Sequence, residues 1–284
     1  MEVTNVAVIG GGTMGNGIAH VFAMSGLPVH LVETTPELAE KALGTIDKNL
    51  GRMVKKDKIS ADDKEKALGR IDSYTDVREG VSEVDLVVEA VPEVLDIKKK
   101  VFAKIDESAP EKAVLASNTS SISITKLAAA TSRPDRFIGM HFFNPVPMMK
   151  LVEIVKGYET DKEVVELIYS TAKKLNKSPV KVADYPGFVS NRVLMPMINE
   201  AICCVHEGVA EPEDVDSVMK LGMAHPMGPL RLADFIGLDV CLDIMKVMYE
   251  GFKDPKYRPS PLLVKMVNAG KLGDKSGEGF YSYD

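Results

Sequence analysis

Residues 5 to 33 place an apolar run, a glycine-rich turn, an amphipathic segment and a second apolar run in direct succession. The first run, Asn5 to Ile9, is short and β-branched, which favours a buried parallel strand over a helix. The glycines that follow have GxGxxG spacing: Gly10 permits a tight turn, Gly12 lets the backbone approach a pyrophosphate, and Gly15 lets a helix pack on the strand. This order of segments predicts a doubly wound α/β sheet that binds a dinucleotide, whereas a merely structural glycine turn is the alternative.

The second apolar run, Val29 to Val32, ends on Glu33, which lies 18 residues beyond Gly15. An acid at this distance is expected to accept a hydrogen bond from the ribose 2′-hydroxyl of the dinucleotide. Because a carboxylate repels a 2′-phosphate, the sequence predicts NAD rather than NADP, although a neighbouring cation would weaken that preference.

Charge and cysteine content restrict the partners of the chain. Its 35 basic and 41 acidic residues give a formal net charge of -6, which offers no general attraction to nucleic acid or to an anionic membrane. The three cysteines have neither metal-site spacing nor the pattern of a disulfide framework, so we expect no metal and a reducing compartment. We see no targeting segment and no apolar run long enough to span a bilayer, and we therefore predict a cytoplasmic protein.

The strand patterns stop at Asp184 to Gly187, which we interpret as a domain boundary. Residues 1–184 are predicted to form the dinucleotide-binding domain, with a helical insertion at about residues 36–70. Residues 185–284 show apolar residues at helical spacing and are predicted to form an all-helical domain, with helices at about 188–207, 213–221, 229–250 and 260–270.

The predicted strands at 85–91 and 113–116 are each followed by polar residues. Ligands of open α/β sheets bind at the carboxyl ends of the strands, so Glu93, Lys98 and the turn from Ser117 to Ser121 are candidates for binding. Leu151 to Val155, which carries Glu153, is predicted to be an edge strand.

His141 is the histidine best placed to act as a base. A nicotinamide enzyme needs a base near the hydroxyl that becomes a carbonyl, and histidine suits that task near neutral pH. His141 lies at a predicted strand end beside Asn144, and Glu153, one short hairpin away, is a plausible carboxylate to orient the imidazole. The other histidines are interpreted as structural: His20, His30, His206 and His225.

A basic stripe runs along the predicted insertion, where Lys48, Arg52, Lys55 and Lys56 recur at helical spacing. A solvated helix face is the first interpretation of this stripe, and a site for a phosphate-bearing ligand is the second.

Six motifs, taken in order, cover the whole chain and resemble those of the L-3-hydroxyacyl-CoA dehydrogenase family: Gly10 to Gly15, Ala116 to Ser121, His141 to Pro147, Pro186 to Arg192, Pro226 to Pro229 and Lys275 to Tyr281. The compact length, with no hydratase domain attached, most resembles the bacterial members that act on 3-hydroxybutyryl-CoA. The resemblance implies a Rossmann-type domain followed by an all-α domain that forms a homodimer. It also implies NAD-dependent interconversion of (S)-3-hydroxybutyryl-CoA and acetoacetyl-CoA.

The resemblance also assigns roles to individual residues. It places the catalytic acid-base pair on His141 and Glu153, and the groups that hydrogen-bond the substrate on Ser120 and Asn191. The implied NAD contacts are Gly10, Gly12, Thr13, Met14, Gly15, Glu33, Glu93, Lys98, Ser120, Asn144 and Lys275. The implied contacts with coenzyme A, which would explain the basic stripe, are Asn49, Arg52 and Lys56.

Glu33 departs from the resemblance, because the family usually has the shorter Asp there. A dehydrogenase of a free hydroxy acid or sugar acid on the same architecture remains the alternative enzyme. A nucleotide-binding protein without catalysis is the alternative from another class, and the intact set of Ser120, His141, Glu153 and Asn191 argues against it.

Overall fold

The computed structural model describes residues 2–283. The chain divides into a first compact unit that ends at Asp184 and a second that begins at Tyr185. The first unit is an α/β sheet domain and the second is helical, so the predicted fold class is confirmed.

The first unit is built on one eight-stranded sheet in the order β3-β2-β1-β4-β5-β6-β7-β8. Neighbouring strands are parallel except for β6 and β7, which are antiparallel. The strands are β1 (Val6–Ile9), β2 (Val29–Val32), β3 (Ile71–Tyr74), β4 (Leu86–Glu89), β5 (Val114–Ser117), β6 (Phe137–Phe142), β7 (Leu151–Lys156) and β8 (Ser178–Ala183).

Helices cover the sheet, and the central strands are therefore buried along their whole length, as parallel strands with two covered faces require. The helices of this unit are α1 (Thr13–Met24), α2 (Pro36–Val54), α3 (Ala61–Leu68), α4 (Val77–Val81), α5 (Leu95–Ser108), α6 (Ile124–Ala128) and α7 (Lys162–Lys174).

The prediction that Leu151 to Val155 forms an edge strand was wrong. β7 lies between β6 and β8, and β8 is the edge strand on this side of the sheet. The run from Val152 to Val155 is buried without interruption, whereas β8 exposes Val180 and Lys181. Pairing with β8 therefore makes β7 an interior strand, and Glu153 lies in the protein interior.

The insertion consists of α2 and α3. Thr35 caps α2, and Ser60 and Asp63 form a capping box at the start of α3. α2 buries Ala39, Ala42, Ile46 and Leu50 against the core, which leaves its basic side chains outside. The helix ends at Val54, so Lys55 and Lys56 lie in the turn that follows rather than on the helix.

The second unit contains five α-helices among its described residues: α8 (Ser190–His206), α9 (Pro212–Gly222), α10 (Pro229–Ile236), α11 (Leu238–Phe252) and α12 (Pro261–Asn268). The single helix predicted over 229–250 was wrong, because Gly237 interrupts it with a φ of 103°. This positive φ is a backbone conformation that side chains other than glycine rarely adopt, so glycine is favoured at this position.

None of the helices over residues 2–283 is both long and apolar enough to cross a membrane. Within the same range, no group of three or more His, Cys, Asp or Glu side chains is arranged to hold a metal ion. All three cysteines carry free thiols, and burial raises the pKa of the Cys241 thiol to about 12.

His20 makes the stability of the first unit dependent on pH. Its side chain lies in α1 and is 2% exposed, and burial, with a smaller effect of the Lys177 charge, lowers its pKa to about 4. The unfolded chain binds a proton there near pH 6.5, so acid favours unfolding. We expect the free energy of unfolding to lose about 2.5 kcal/mol through this residue between pH 7.5 and 4.5.

Urea denaturation at the two pH values, in the wild type and in His20→Leu, measures this effect. The variant should show a smaller acid-induced loss, whereas His206→Leu, which removes an exposed histidine, should behave as the wild type does. Equal losses in the wild type and His20→Leu would contradict the assignment.

Candidate active site

The glycine turn after β1 packs the start of α1 against the sheet. Gly10 has a φ of 92°, and a Cβ on it would meet the Ala90 carbonyl oxygen at 3.0 Å. A Cβ on Gly15 would lie 1.7 Å from the Gly10 carbonyl oxygen, whereas a Cβ on Gly12 would meet nothing within 4 Å. Gly10 and Gly15 are therefore required by packing, and Gly12 is a glycine beside open space.

The residues around this turn fit a dinucleotide. Gly12 is the N-cap of α1 and offers no side-chain cap to the first N–H groups of the helix, which suits a pyrophosphate ligand. A cavity of about 840 Å³ opens beside the turn. Its lining includes the predicted cofactor residues Gly10, Gly12, Thr13, Met14 and Glu33.

Glu33 is held in a defined orientation at the end of β2. Its Oε1 accepts a hydrogen bond from the Gly11 N–H at 2.6 Å, and its Oε2 accepts one from the Thr34 N–H at 3.0 Å. Arg78, one of the two cations in this lining, donates to Glu107 at 3.1 Å. The carboxylate thus faces the cavity where a ribose 2′-hydroxyl is expected, and Arg78 is engaged elsewhere.

His141 and Glu153 form a buried pair. The two residues are direct neighbours in the antiparallel register of β6 and β7. The His141 Nδ1 lies 2.8 Å from the Glu153 Oε2, and the side chains are 8% and 3% exposed. Because an ionised carboxylate only accepts hydrogen bonds, it fixes the neutral imidazole with its proton on Nδ1 and its lone pair on Nε2. This is the arrangement of a general base with an orienting carboxylate.

A second set of polar groups lies at the carboxyl ends of β4 and β5. The Glu93 Oε1 accepts hydrogen bonds from the backbone N–H groups of Ser120 at 3.1 Å and Ser121 at 3.2 Å. The Glu93 Oε2 lies 3.3 Å from the Lys98 Nζ. The structure therefore brings Glu93 and Lys98, which follow β4, together with Ser120, which follows β5.

Burial by itself would raise the pKa of Glu93, but the charge of Lys98 and the hydrogen bonds from Thr119, Lys98 and Ser121 outweigh it and lower the pKa. The balance is opposite for Glu89. Its complete burial raises the pKa against the opposing effects of Lys98, Ser117 and the Val91 N–H.

Sequence reasoning missed Glu89, and it included Ser117 and Thr119 only as part of the turn from Ser117 to Ser121. Glu89 is fully buried at the end of β4 and accepts hydrogen bonds from the Lys98 ammonium at 2.6 Å and from the Ser117 hydroxyl at 2.7 Å. The Thr119 hydroxyl donates to Glu93. The available signal was a charged residue at the end of an otherwise apolar buried strand, because such a charge requires a partner.

The remaining predicted residues lie in other parts of the two units. Asn144 is exposed after β6, next to the cis bond that precedes Pro145. Asn49 and Arg52 lie on α2, where the Arg52 guanidinium donates to the Asn49 side chain at 3.3 Å, and Lys56 is exposed in the turn beyond.

The second unit holds the other two predicted residues. Asn191 lies in the first turn of α8. Lys275 lies in a short 3-10 helix, and its ammonium contacts the Asp239 carboxylate at 2.5 Å.

Comparison with known families accounts for both units. The family model for the NAD-binding domain of 3-hydroxyacyl-CoA dehydrogenase matches residues 5–185, and the model for the C-terminal domain matches residues 187–283. The chain belongs to the 3-hydroxyacyl-CoA dehydrogenase family. Its first unit is thus the NAD-binding domain of this family, and NAD is the cofactor.

Individual members of the 3-hydroxyacyl-CoA dehydrogenase family match over nearly the whole chain. The 3-hydroxybutyryl-CoA dehydrogenase of Bradyrhizobium diazoefficiens is 50% identical, with 99% of this chain and 96% of that protein covered. The mitochondrial hydroxyacyl-coenzyme A dehydrogenase of Homo sapiens is 45% identical, with 99% and 91% covered. The crystal structure of the (S)-3-hydroxybutyryl-CoA dehydrogenase of Ralstonia eutropha has a TM-score of 0.98 at 49% identity, with both chains fully covered.

Proposed function

We propose that this chain is an NAD-dependent enzyme that interconverts (S)-3-hydroxybutyryl-CoA and acetoacetyl-CoA. The observation that carries the proposal is the buried His141–Glu153 pair in the sheet of a 3-hydroxyacyl-CoA dehydrogenase NAD-binding domain. The activity named for the relatives from Bradyrhizobium diazoefficiens and Ralstonia eutropha supports the choice of a four-carbon substrate.

NAD, when bound, accepts a hydride from C3 of the hydroxyacyl group. The residues proposed to hold it are those of the glycine turn, Gly10 to Gly15, with Glu33 for the ribose and Glu93, Lys98, Ser120, Asn144 and Lys275 as further contacts.

His141 is proposed to move the proton. In the oxidative direction its Nε2 takes the proton of the 3-hydroxyl, and the resulting imidazolium is stabilised by Glu153, 2.8 Å from its Nδ1. In the reductive direction the imidazolium returns the proton to the forming alkoxide. Ser120 and Asn191 are proposed to hydrogen-bond the reacting oxygen and the thioester region and so to hold the substrate in position.

The first test of the reaction is the absorbance of NADH at 340 nm in the presence of acetoacetyl-CoA. In one parallel assay NADPH replaces NADH, and in another a longer 3-ketoacyl-CoA replaces acetoacetyl-CoA. We expect rapid loss of NADH absorbance with acetoacetyl-CoA and slower loss with NADPH. If neither cofactor is consumed, the proposal fails, and free hydroxy acids with NAD become the next candidates.

Coenzyme A is proposed to lie along the insertion, where the exposed Lys56 and Arg52 offer cationic groups to its phosphates. Lys56→Glu is therefore expected to raise the KM for acetoacetyl-CoA about tenfold, as loss of a charge-assisted contact predicts, and to leave the KM for NADH unchanged. Lys41→Glu, which reverses an exposed charge earlier on α2, is the matched control.

Acetoacetyl-pantetheine, which lacks the adenosine phosphates, adds a second control for this site. Lys56→Glu should leave its KM unchanged, because the contact that the variant loses is absent from this substrate. An unchanged KM for acetoacetyl-CoA in Lys56→Glu would remove Lys56 from the coenzyme A site.

We further propose that the second unit forms a homodimer. The support is apolar surface on and beside its helices: Leu221 is 87% exposed, and Val193, Val218, Met223 and Phe235 are also exposed. A mostly apolar cavity of about 400 Å³ lies between α8 and α9. Sedimentation at micromolar concentration tests the dimer.

A reducing, cytoplasmic location is likewise proposed, and the free thiols support it.

A further inference from the structure

The buried carboxylate of Glu89 has no part in the proton transfer proposed above, yet it is fully hydrogen-bonded. Its Oε1 accepts from the Lys98 ammonium at 2.6 Å and from the Val91 N–H at 2.7 Å, and its Oε2 accepts from the Ser117 hydroxyl at 2.7 Å. These donors come from α5, from the chain that follows β4, and from β5. Glu89 therefore ties together three segments at one end of the sheet.

Lys98 is held from three sides. Its ammonium lies 2.6 Å from the Glu89 Oε1, 3.2 Å from the Val91 carbonyl oxygen and 3.3 Å from the Glu93 Oε2. Three acceptors match the three N–H donors of a lysine ammonium. The side chain is 1% exposed, whereas that of Glu93 is 39% exposed. Lys98 thus links a completely buried acid to one that reaches the surface of the site.

Glu93 in turn shapes the turn that follows β5. Its Oε1 accepts from the Thr119 hydroxyl, from the Ser120 and Ser121 N–H groups, and from the Ser121 hydroxyl at 3.1 Å. The Ser117 hydroxyl, at the base of the same turn, donates to Glu89. Glu89 consequently contacts this turn by two routes, directly through Ser117 and indirectly through Lys98 and Glu93.

Stability alone does not account for a buried acid and a buried base at this place. A buried ion pair contributes little net stability compared with apolar side chains of the same volume, because both charges lose their hydration. Removing one partner is strongly unfavourable, because the other charge is then buried alone. The pair therefore fixes geometry more than it adds stability, and the geometry it fixes is that of Glu93 and Ser120.

We infer that Glu89 is a positioning residue of the active site, which acts through Lys98 and Ser117 to hold Glu93 and the turn over residues 117–121 in the conformation that binds NAD and substrate. This inference rests on the proposed roles of Glu93, Lys98 and Ser120. Because Glu89 is completely buried, we propose that it acts through these partners and not by contact with the cofactor or the substrate.

A double-mutant cycle on NADH binding tests the inference. Glu89→Gln preserves the size of the side chain and an acceptor for Lys98 but removes the charge. We expect it to raise the NADH Kd, measured by nicotinamide fluorescence, about tenfold, within the range of coupling between contacting residues. In a Lys98→Met background the same substitution should raise the Kd by no more than about two- to fivefold, because only the direct route through Ser117 remains. Lys100→Met, an exposed lysine of α5, should bind NADH as the wild type does.

Thermal melts separate positioning from a merely structural role, and all Kd values are measured below the onset of unfolding. A lower Tm with an unchanged NADH Kd in Glu89→Gln would overturn the inference. It would also be overturned if the effects of Glu89→Gln and Lys98→Met on the free energy of NADH binding were additive in the double variant. If Glu89→Gln does not fold, Ser117→Ala removes the direct route alone and should raise the Kd by about two- to fivefold. An unchanged Kd in that variant would also overturn it.

The measurement is independent of the proposed reaction, since NADH binding requires no acyl-CoA. A wild type that binds NADH but does not reduce acetoacetyl-CoA would refute the proposed function and leave the cycle to decide the role of Glu89. A wild type that does reduce acetoacetyl-CoA, together with a Glu89→Gln variant of unchanged Kd, would refute only the positioning role.

Discussion

His141→Gln is expected to lower kcat for acetoacetyl-CoA reduction by about 10²- to 10⁴-fold, the contribution of a positioned general acid or base. Glutamine fills a similar volume and can still hydrogen-bond Glu153, but it cannot exchange a proton near neutral pH. The KM values should change little, because the imidazole is proposed to act on the transition state rather than to bind the ground state. Steady-state kinetics at 340 nm, with the Tm as a check on folding, measure this effect.

His206→Gln is the matched control for His141→Gln, because it removes an exposed histidine at the end of α8. It should retain wild-type turnover. A His141→Gln enzyme with full turnover would refute the proposed acid-base role, and the buried pair with Glu153 would then be structural.

Gly15→Ala is expected to reduce the free energy of unfolding by at least about 3 kcal/mol, at the upper end of overpacking substitutions. The new Cβ would lie 1.7 Å from the Gly10 carbonyl oxygen and 2.7 Å from its carbon. Both are backbone atoms of the turn, so they move only if α1 separates from the turn. Urea denaturation measures the loss, and NADH binding should be lost with it.

Two other glycines provide controls for Gly15→Ala. Gly44 lies in α2 with nothing within 4 Å of its Cβ position, so Gly44→Ala should raise the free energy of unfolding by about 0.5–1 kcal/mol through helix propensity. Gly12→Ala should fold as the wild type does but bind NADH more weakly, because its Cβ would point into the space proposed for the pyrophosphate. A Gly15→Ala variant as stable as Gly44→Ala would contradict the packing argument.

The sequence by itself determined the fold class. Short β-branched runs predict buried strands, and apolar residues at helical spacing predict helices. The spacing of Gly10, Gly12 and Gly15 predicts the turn of a dinucleotide-binding domain. These patterns can be read from the sequence because they depend on residues close together in the chain. The same local reasoning singled out His141 and Glu33 as candidate site residues, since each lies at a strand end, where ligands of such sheets bind. The sequence motifs also predicted the 3-hydroxyacyl-CoA dehydrogenase family, which the family models confirm.

Only the tertiary structure decided how the strand ends meet. Glu89, Lys98 and Ser117 are separated by up to 28 residues in the chain, and their convergence depends on β5 pairing with β4 and on α5 packing beside them. The interior position of β7 was missed because strand order is set by pairing with β8, which no local pattern of β7 encodes. Each of these features arises from contacts between distant segments, where burial forces charged groups to find partners that the local sequence does not contain.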